Sequence, residues 1–510
     1  MRDNGLNLRR RDFLAAGVTL VASTAVGCST PTTETATRTT TSSPAPPRAP
    51  TAVGLAAGSA LLWASDNDLR RTLDAAVQAG VSIIRFDVSW TFAEPYRGRY
   101  EWAPSDRIVK AAVERRLRPL VTITNSPSWA AVGGWRQTGR PTDPATYADF
   151  AGTVAEHYRD SVDVFEIWNE PNGRMFFEPM PDPVVYAQML RLAYQRIKAV
   201  HPDSTVLGGA LGAVDHTPDT LAPVSFLQGM YTAGAHDHFD ALSFHPYDYS
   251  APLATGALYP NSPMSQMAAM YEVMARNGDG TKQIWITEYG APSSRIGPAA
   301  QADLIANSLR QWQEVDYAGP FIVHTIRDDD TAALPDERTF GVVGSDYTPK
   351  PAFTQLQSLL APGAHLSRDV DADFRGNRDA ALGAAVTPVF NLKEGTGQRF
   401  ERGYRYSTAT GFINAPVDVG AKALQWQLVP NTEFANGYQD FGGSALRIFS
   451  HPQFGTRAIF GAILAAWTPE LGAPTSDEHP VAPGGAARAV DFEHGTISWS
   501  EADGAKVSIR

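Results

Sequence analysis

Apolar runs of four to seven residues recur along the middle of the chain, and longer segments with apolar positions every three to four residues separate them. Short runs rich in β-branched side chains predict buried strands, and the longer period predicts amphipathic helices. Strands are expected at Ala60–Ala64, Ile83–Val88, Pro119–Thr124, Val164–Trp168, Thr205–Gly209, Ala241–Phe244, Gln283–Thr287 and Pro320–Thr325. Helical segments such as Asp68–Ala79 and Ala148–Arg159 lie between them. Eight strands alternating with helices from Ala52 to Leu360 predict an α/β fold of the (β/α)8 TIM-barrel type. The rival arrangement is an open doubly wound sheet. No glycine-rich phosphate turn follows the first strand, so its dinucleotide-binding version lacks the expected signature.

Two of the runs end on a carboxylate. One is Phe165-Glu166-Ile167-Trp168-Asn169-Glu170-Pro171-Asn172, and the other is Ile284-Trp285-Ile286-Thr287-Glu288-Tyr289-Gly290. In a barrel of this type the active site gathers at the C-terminal ends of the strands. Arg85, Asn125, Asn169, Glu170, His245, Tyr247 and Glu288 all fall at or near such ends. Glu170 follows the fourth expected strand and Glu288 the seventh, which places them on opposite sides of the barrel mouth. Two carboxyl groups flanking a bond are what glycoside hydrolysis requires, so the expected partner is a carbohydrate.

The motifs around these residues resemble those of the clan A retaining glycoside hydrolases. Trp168-Asn169-Glu170-Pro171 resembles their Asn-Glu-Pro acid/base motif, and Thr287-Glu288-Tyr289-Gly290 resembles their strand-seven nucleophile motif. Arg85–Trp90, Glu94–Trp102 and Ser126–Ala130 are similar to segments of family 39 and family 5 members. Phe340–Val343 and Pro349–Ala352 resemble the closing segment, so the resemblance covers residues 53–360. It implies that Glu170 donates and later accepts the proton, and that Glu288 attacks the anomeric carbon. It places Arg85 beside Glu288 and Asn169 on the sugar 2-hydroxyl. Tyr289 or Tyr247 is then a hydrogen-bond partner of the nucleophile, and His245 binds the sugar or tunes the acid. Asn125 is either a sugar contact or a turn residue before Ser126-Pro127. Trp90 and Trp129 stand near strand ends, where they serve either as stacking faces for sugar rings or as core. One departure is plain: the eighth run continues Val323-His324-Thr325-Ile326, without the tryptophan that many clan A enzymes carry there.

After Pro362 the helical period fades and short, glycine-punctuated runs take over. Phe400-Glu401-Arg402-Gly403 parallels Phe492-Glu493-His494-Gly495, and each follows a Leu-Gly pair, Leu382-Gly383 and Leu471-Gly472. A recurring unit points to a small modular array. It resembles the LGFP repeats of secreted bacterial proteins, which implies association with a cell-wall glycan. The stretch between the copies, with Phe441-Gly442-Gly443-Ser444, is a degenerate match.

The N-terminus carries Arg9-Arg10-Arg11-Asp12-Phe13-Leu14, which resembles a twin-arginine export motif, then an apolar stretch too short to span a bilayer. It ends at Ala25-Val26-Gly27-Cys28, similar to a bacterial lipobox in which Cys28 is acylated; an ordinary cleaved signal is the alternative. Cys28 is the chain's single cysteine, which excludes an intrachain disulfide and a cysteine-based metal cluster. Residues 29–51 are mostly Thr, Ser, Pro and Ala, the composition of a disordered tether. A net charge of −11 argues against a nucleic-acid or acidic-lipid partner, which leaves the lipid anchor as the expected membrane contact. The eleven histidines show no zinc spacing, and Asp369-Val370-Asp371-Ala372-Asp373 lacks the glycine and distal glutamate of a calcium loop. No metal or cofactor is expected, in keeping with retaining glycoside hydrolysis. The expected organisation is a signal at 1–28, a tether at 29–51, a catalytic barrel at 52–362 and a repeat domain at 363–510. The expected protein is an exported envelope lipoprotein that hydrolyses a polysaccharide from within. Exo-cleavage of small glycosides, transglycosylation and non-catalytic glycan binding are the alternatives.

Overall fold

A computed structural model of the chain describes residues 50–134 and 137–510. The expected export signal, Cys28 and all but the last residues of the tether lie outside the described residues. Eight parallel strands close into a barrel in chain order. They are β1 (Val53–Ala56), β2 (Ile83–Ser89), β3 (Arg118–Thr124), β4 (Val164–Ile167), β5 (Thr205–Gly212), β6 (Ala241–His245), β7 (Ile284–Tyr289) and β8 (Ala318–Val323). Closure is made by β1, whose Val53, Gly54 and Leu55 register with Phe321, Ile322 and Val323 of β8. Gly54 permits this packing, because a Cβ there would stand 2.5 Å from the Ile322 side chain.

The first strand is the main correction to the sequence reading. Ala60–Ala64 is not a strand: Ser59–Trp63 forms a single turn of 3-10 helix, and β1 lies just upstream. Gly58, with a φ of 57°, makes the turn between them. Seven of the eight expected strands are found, with ends moved by up to three residues.

Side chains alternate across a strand, so every second residue enters the barrel. Ile83, Leu120, Val164, Leu207, Ala241, Trp285 and Ile322 form an apolar plug, with Ala56. Two residues further along, the inward positions turn polar: Arg85, Thr122, Glu166, Ser243, Thr287 and His324, and then Asp87, Thr124 and His245. The plug excludes water from below and leaves an ionisable layer facing the mouth. Helices of 10 to 18 residues pack outside, including Pro144–His157 and Pro183–Val200, whose N-caps Asp143 and Asp182 accept from free backbone N–H groups.

Beyond the barrel, Asp369–Gly376 is helical, and Asp371 pairs with Arg375 at 2.7 Å instead of forming part of a loop. Three antiparallel sheets follow. The first is β9 (Phe390–Leu392), β10 (Gly395–Phe400), β11 (Gly403–Thr408) and β12 (Gly411–Ala415). The second is β13 (Tyr438–Phe441), β14 (Leu446–His451) and β15 (Gly455–Phe460). The third is β16 (His479–Pro480), β17 (Arg488–Phe492), β18 (Gly495–Ser500) and β19 (Gly504–Ile509).

The sheets repeat bond by bond. In the first, Glu401 N donates to Ala384 O and Val386 N to Arg399 O; in the third, Glu493 N donates to Ala473 O and Thr475 N to Asp491 O. The middle sheet makes the same pair through Gly442 N to Val429 O and Asn431 N to Asp440 O. The stretch that is degenerate in sequence is therefore a third structural copy. Its clasp has changed partners. The outer copies set Gly383 and Gly472 under the Glu401 and Glu493 carboxylates, whereas the middle copy sets Leu428 over Gly442.

The first repeat is fastened to the barrel. Arg368 Nη2 and Val389 N donate to Glu314 Oε2 at 2.6 and 2.8 Å, Ala385 N donates to Asp316, and Tyr317 OH donates to Val386 O. Val386, Phe390 and Tyr404 also share the main hydrophobic core with the barrel helices.

Candidate active site

Arg85 is the centre of the polar layer and is almost fully buried. Its Nε donates to Glu166 Oε2 at 2.8 Å, Nη1 to Glu288 Oε1 at 2.5 Å, and Nη2 to Asn169 Oδ1 at 2.9 Å. One rigid fork thus ties strands β2, β4 and β7 together. Thr122 Oγ1 also donates to Glu166 Oε2, at 2.9 Å.

Glu170 reaches the mouth through an unusual loop. Trp168 and Glu170 both have positive φ, 72° and 44°, and Glu170 N donates to Ala210 O at 2.8 Å. Its carboxylate leans over Gly212, where a Cβ would stand 3.1 Å from the carboxyl carbon. Asn172 holds that glycine in place by accepting from Gly212 N at 2.8 Å and donating to Gly212 O at 2.9 Å.

Glu288 enters the interior because β7 breaks its own alternation. Thr287 already faces inward, and the register between β7 and β8 shifts between Ile286 and Tyr289, so the next residue turns inward too. Tyr289 points away and bonds Ser308 at 2.7 Å, whereas Tyr247 OH donates to Glu288 Oε2 at 2.8 Å. Tyr247 is therefore the hydroxyl partner of Glu288. Both carboxylates stay reachable from the mouth, with side-chain exposures of 19% for Glu170 and 15% for Glu288.

His245 joins the two acids. Its Nδ1 lies 2.8 Å from Glu170 Oε1 and 3.7 Å from Glu288 Oε2, so those oxygens are within about 6.5 Å of each other. Its Nε2 lies 3.1 Å from Thr287 Oγ1. Burial alone would lower this imidazole's pKa, but Glu288 and Glu170 outweigh it and hold the ring more basic than usual. Burial likewise opposes ionisation of Glu288, yet His245, Arg85 and Tyr247 together keep it far below the usual carboxylate range.

Two further acids belong to this layer and were not singled out in the sequence. Glu166 is fully buried, and its Oε1 has no partner among the described residues. Asp87 lies two residues after Arg85 on the same face; burial first, then Glu288 and Glu166, push it up to about 6 against the pull of Arg85. The signal for both was the inward spacing Arg85-x-Asp87 and Val164-x-Glu166 at the polar end of each strand.

The remaining expected residues divide. Asn125 sits at a φ of 64° in the turn after β3, with Nδ2 3.4 Å from Gln137 O. Trp129 is half-buried, donating to Glu94 O at 3.1 Å with Arg97 over its ring. Trp90 corrects the expectation of a sugar-stacking face: it is fully buried, stacked on Phe150, and donates to Glu94 Oε2 at 2.7 Å. His324 stands at the tip of β8, with Nδ1 3.7 Å from Glu288 Oε2.

Two facing carboxylates on a rigid polar floor match the equipment of a glycosidase, and the relatives agree. The profile of the cellulase family, glycosyl hydrolase family 5, matches residues 46–318. The chain belongs to this family. It is a glycoside hydrolase, and residues 471–508 match the LGFP repeat. An endo-1,4-beta-xylanase A of Fusarium oxysporum f. sp. lycopersici is 31% identical over 87 residues, which cover 16% of this chain and 26% of that protein. An endo-1,4-beta-xylanase 1 of Gibberella zeae is 26% identical over 117 residues, covering 22% of this chain and 32% of that protein. The match thus spans about a third or less of these curated relatives. Among solved structures, a family 39 glycoside hydrolase from Bacteroides cellulosilyticus WH2 aligns with a TM-score of 0.52 and 21% identity over 71% of both chains. A GH5_18 protein from Streptomyces cattleya, solved with GlcNAc, aligns with a TM-score of 0.50 and 16% identity over 62% of this chain and 82% of that one. Both share the fold.

Proposed function

We propose that this glycoside hydrolase is a retaining β-glycosidase working by double displacement, with Glu288 as nucleophile and Glu170 as acid/base. The observation that carries the reading is His245 bridging the two carboxylates. Their oxygens lie within the bound set by that bridge, which suits the roughly 5–5.5 Å of retaining enzymes; inverting enzymes hold their carboxyls about 6.5–9.5 Å apart to admit a water.

The roles follow from the surroundings. Arg85 and Tyr247 keep Glu288 ionised and fix its orientation, so one oxygen attacks the anomeric carbon while Glu170 protonates the departing glycosidic oxygen. The bond formed is carbon to Glu288 oxygen, and the bond broken is carbon to the leaving oxygen. Water then displaces Glu288, with Glu170 taking its proton. Asn169, whose Oδ1 accepts from Arg85 at 2.9 Å, is read as the partner of the sugar 2-hydroxyl.

The substrate reading is an extracellular or envelope polysaccharide, cut from within. The N-terminal motif, the tether composition and the LGFP repeat support an exported, surface-held enzyme, and the repeats are read as a second glycan contact. The likeness to the two fungal endo-1,4-beta-xylanases supports a β-linked polymer.

The test incubates the full chain, Glu288→Gln and Glu170→Gln with β-1,4-xylan, β-mannan and isolated envelope glycans, and reads released oligosaccharides by mass spectrometry. Release by the unaltered protein alone is expected, with a ladder of sizes marking internal cleavage. Single-sugar products would mark exo-action. Equal release by Glu288→Gln contradicts its role. Fractionation of cells expressing Arg10→Lys, Arg11→Lys tests export: retention in the cytoplasm is expected, and normal export overturns the signal reading.

A further inference from the structure

His324 occupies the tip of strand β8, directly beside Glu288. Its Nδ1 is buried, lacks a hydrogen-bond partner among the described residues, and lies 3.7 Å from Glu288 Oε2. The ring is wedged edge-on between Tyr247 and Phe340, at centroid distances of 6.2 and 5.3 Å. Its backbone is pressed against strand β7: a Cβ on Gly290 would stand 2.1 Å from His324 O. The imidazole therefore has a fixed position, and 22% of its side chain stays open to the mouth.

We propose that His324 sets specificity for the sugar bound at the bond-breaking position, by holding one of its hydroxyls through the ring nitrogen that faces the cleft. The inference rests on the glycosidase reading of Glu170 and Glu288 and deepens it.

The ring is suited to this task. Burial, together with Arg85 and His245, pushes it below the usual imidazole value against the pull of Glu288 and Glu170, so it is neutral. A neutral imidazole carries one N–H and one acceptor nitrogen. The negative Glu288 oxygen favours the N–H on Nδ1, which leaves Nε2 as an acceptor. A hydroxyl bound there loses its hydration and gains a directed bond. A flat indole in this place would offer stacking area instead. A site built to bond a hydroxyl rejects the analogue that lacks it far more strongly than a stacking surface does.

The test is a double-mutant cycle between protein and substrate. Wild type, His324→Phe and His324→Gln are assayed on 4-nitrophenyl β-D-glucoside and its 2-, 3-, 4- and 6-deoxy forms, with Glu288→Gln as a separate arm. For wild type, deleting one particular hydroxyl is expected to lower kcat/KM by about tenfold or more. His324→Phe keeps the packing, loses a similar factor on the parent glucoside, and loses nothing further on that deoxy form. His324→Gln recovers part of the loss. Independent, multiplying losses at every hydroxyl overturn the role of His324 while leaving Glu288 intact. Full activity of Glu288→Gln sinks the underlying reading instead. If no aryl glycoside is turned over, the cycle is read by calorimetric binding of isofagomine and its analogue lacking the hydroxymethyl group. Coupling confined to His324 supports the proposal; no coupling, or no binding of either probe, overturns it.

Discussion

Gly212 has no side chain where the Glu170 carboxylate needs room: a Cβ there would stand 3.1 Å from the carboxyl carbon and 3.2 Å from Oε2. Glu170 must yield by a few tenths of an ångström if that space is filled, and its other neighbour, His245, is fully buried and cannot follow. Gly212→Ala is therefore expected to lower kcat by about tenfold, since small misplacements of catalytic groups cost that much or more. Melting temperature should change little. Unchanged kcat would show that Glu170 is not held in its working position by this contact.

Asp87 makes a different prediction, because its folded pKa is raised. Such a carboxyl binds a proton more tightly in the folded chain than in the unfolded one. Its contribution to stability is favourable at low pH and is lost as pH rises from about 4 to about 6. Asp87→Asn should therefore match wild-type stability near pH 4 and exceed it by about 1–3 kcal/mol at pH 7. Denaturant unfolding at the two pH values checks this. A variant less stable at pH 7 would mean that attraction to Arg85 dominates.

Among the described residues, Arg85 is the one arginine or lysine that hydrogen-bonds Glu166 and Glu288. Arg85→Met leaves Glu166 and Glu288 buried beside an apolar side chain, and removing one partner of a buried pair costs about 3–5 kcal/mol. Adding Glu166→Gln should recover part of that loss, because Glu166 is the more deeply buried of the two acids. Additive losses in the double variant would contradict the shared-fork description.

These residues also show what the sequence could and could not reveal. Glu170 and Glu288 were legible because each follows an apolar strand inside a distinctive motif. Glu166 and Asp87 sit within strands and were hidden by the runs around them; reading only alternate positions exposes them. Glu288 itself violates strict alternation, and only the register shift in β7 explains how it faces inward beside Thr287. Trp90 looked like a binding residue because it stands at a strand tip, but the chain turns there into a short helix, Trp90–Ala93, that buries it. The first strand was misplaced because Ala60–Ala64 is as apolar as Val53–Ala56, and local pattern does not separate a helical turn from a short strand.

The repeat clasp is testable by stability alone. Gly472 has a φ of 74°, and a Cβ there would stand 2.4 Å from Glu493 Oε2. Gly472→Ala should cost about 1–3 kcal/mol through backbone strain and displacement of the carboxylate. Gly383→Ala should behave alike, because Glu401 stands over it in the same way. Glu493→Ala combined with Gly472→Ala should cost less than the two separate losses together. Calorimetric melting of the full chain checks all three, and strict additivity would contradict the clasp.

The central claim is that Glu288 forms a covalent glycosyl intermediate and that configuration at the anomeric carbon is retained. Proton NMR, started within seconds of adding enzyme to whichever β-linked glycan it cleaves, observes the first anomer released. The expected result is the β anomer first, with the α anomer growing only as mutarotation proceeds. An α anomer at the outset contradicts the double displacement and the roles of both acids.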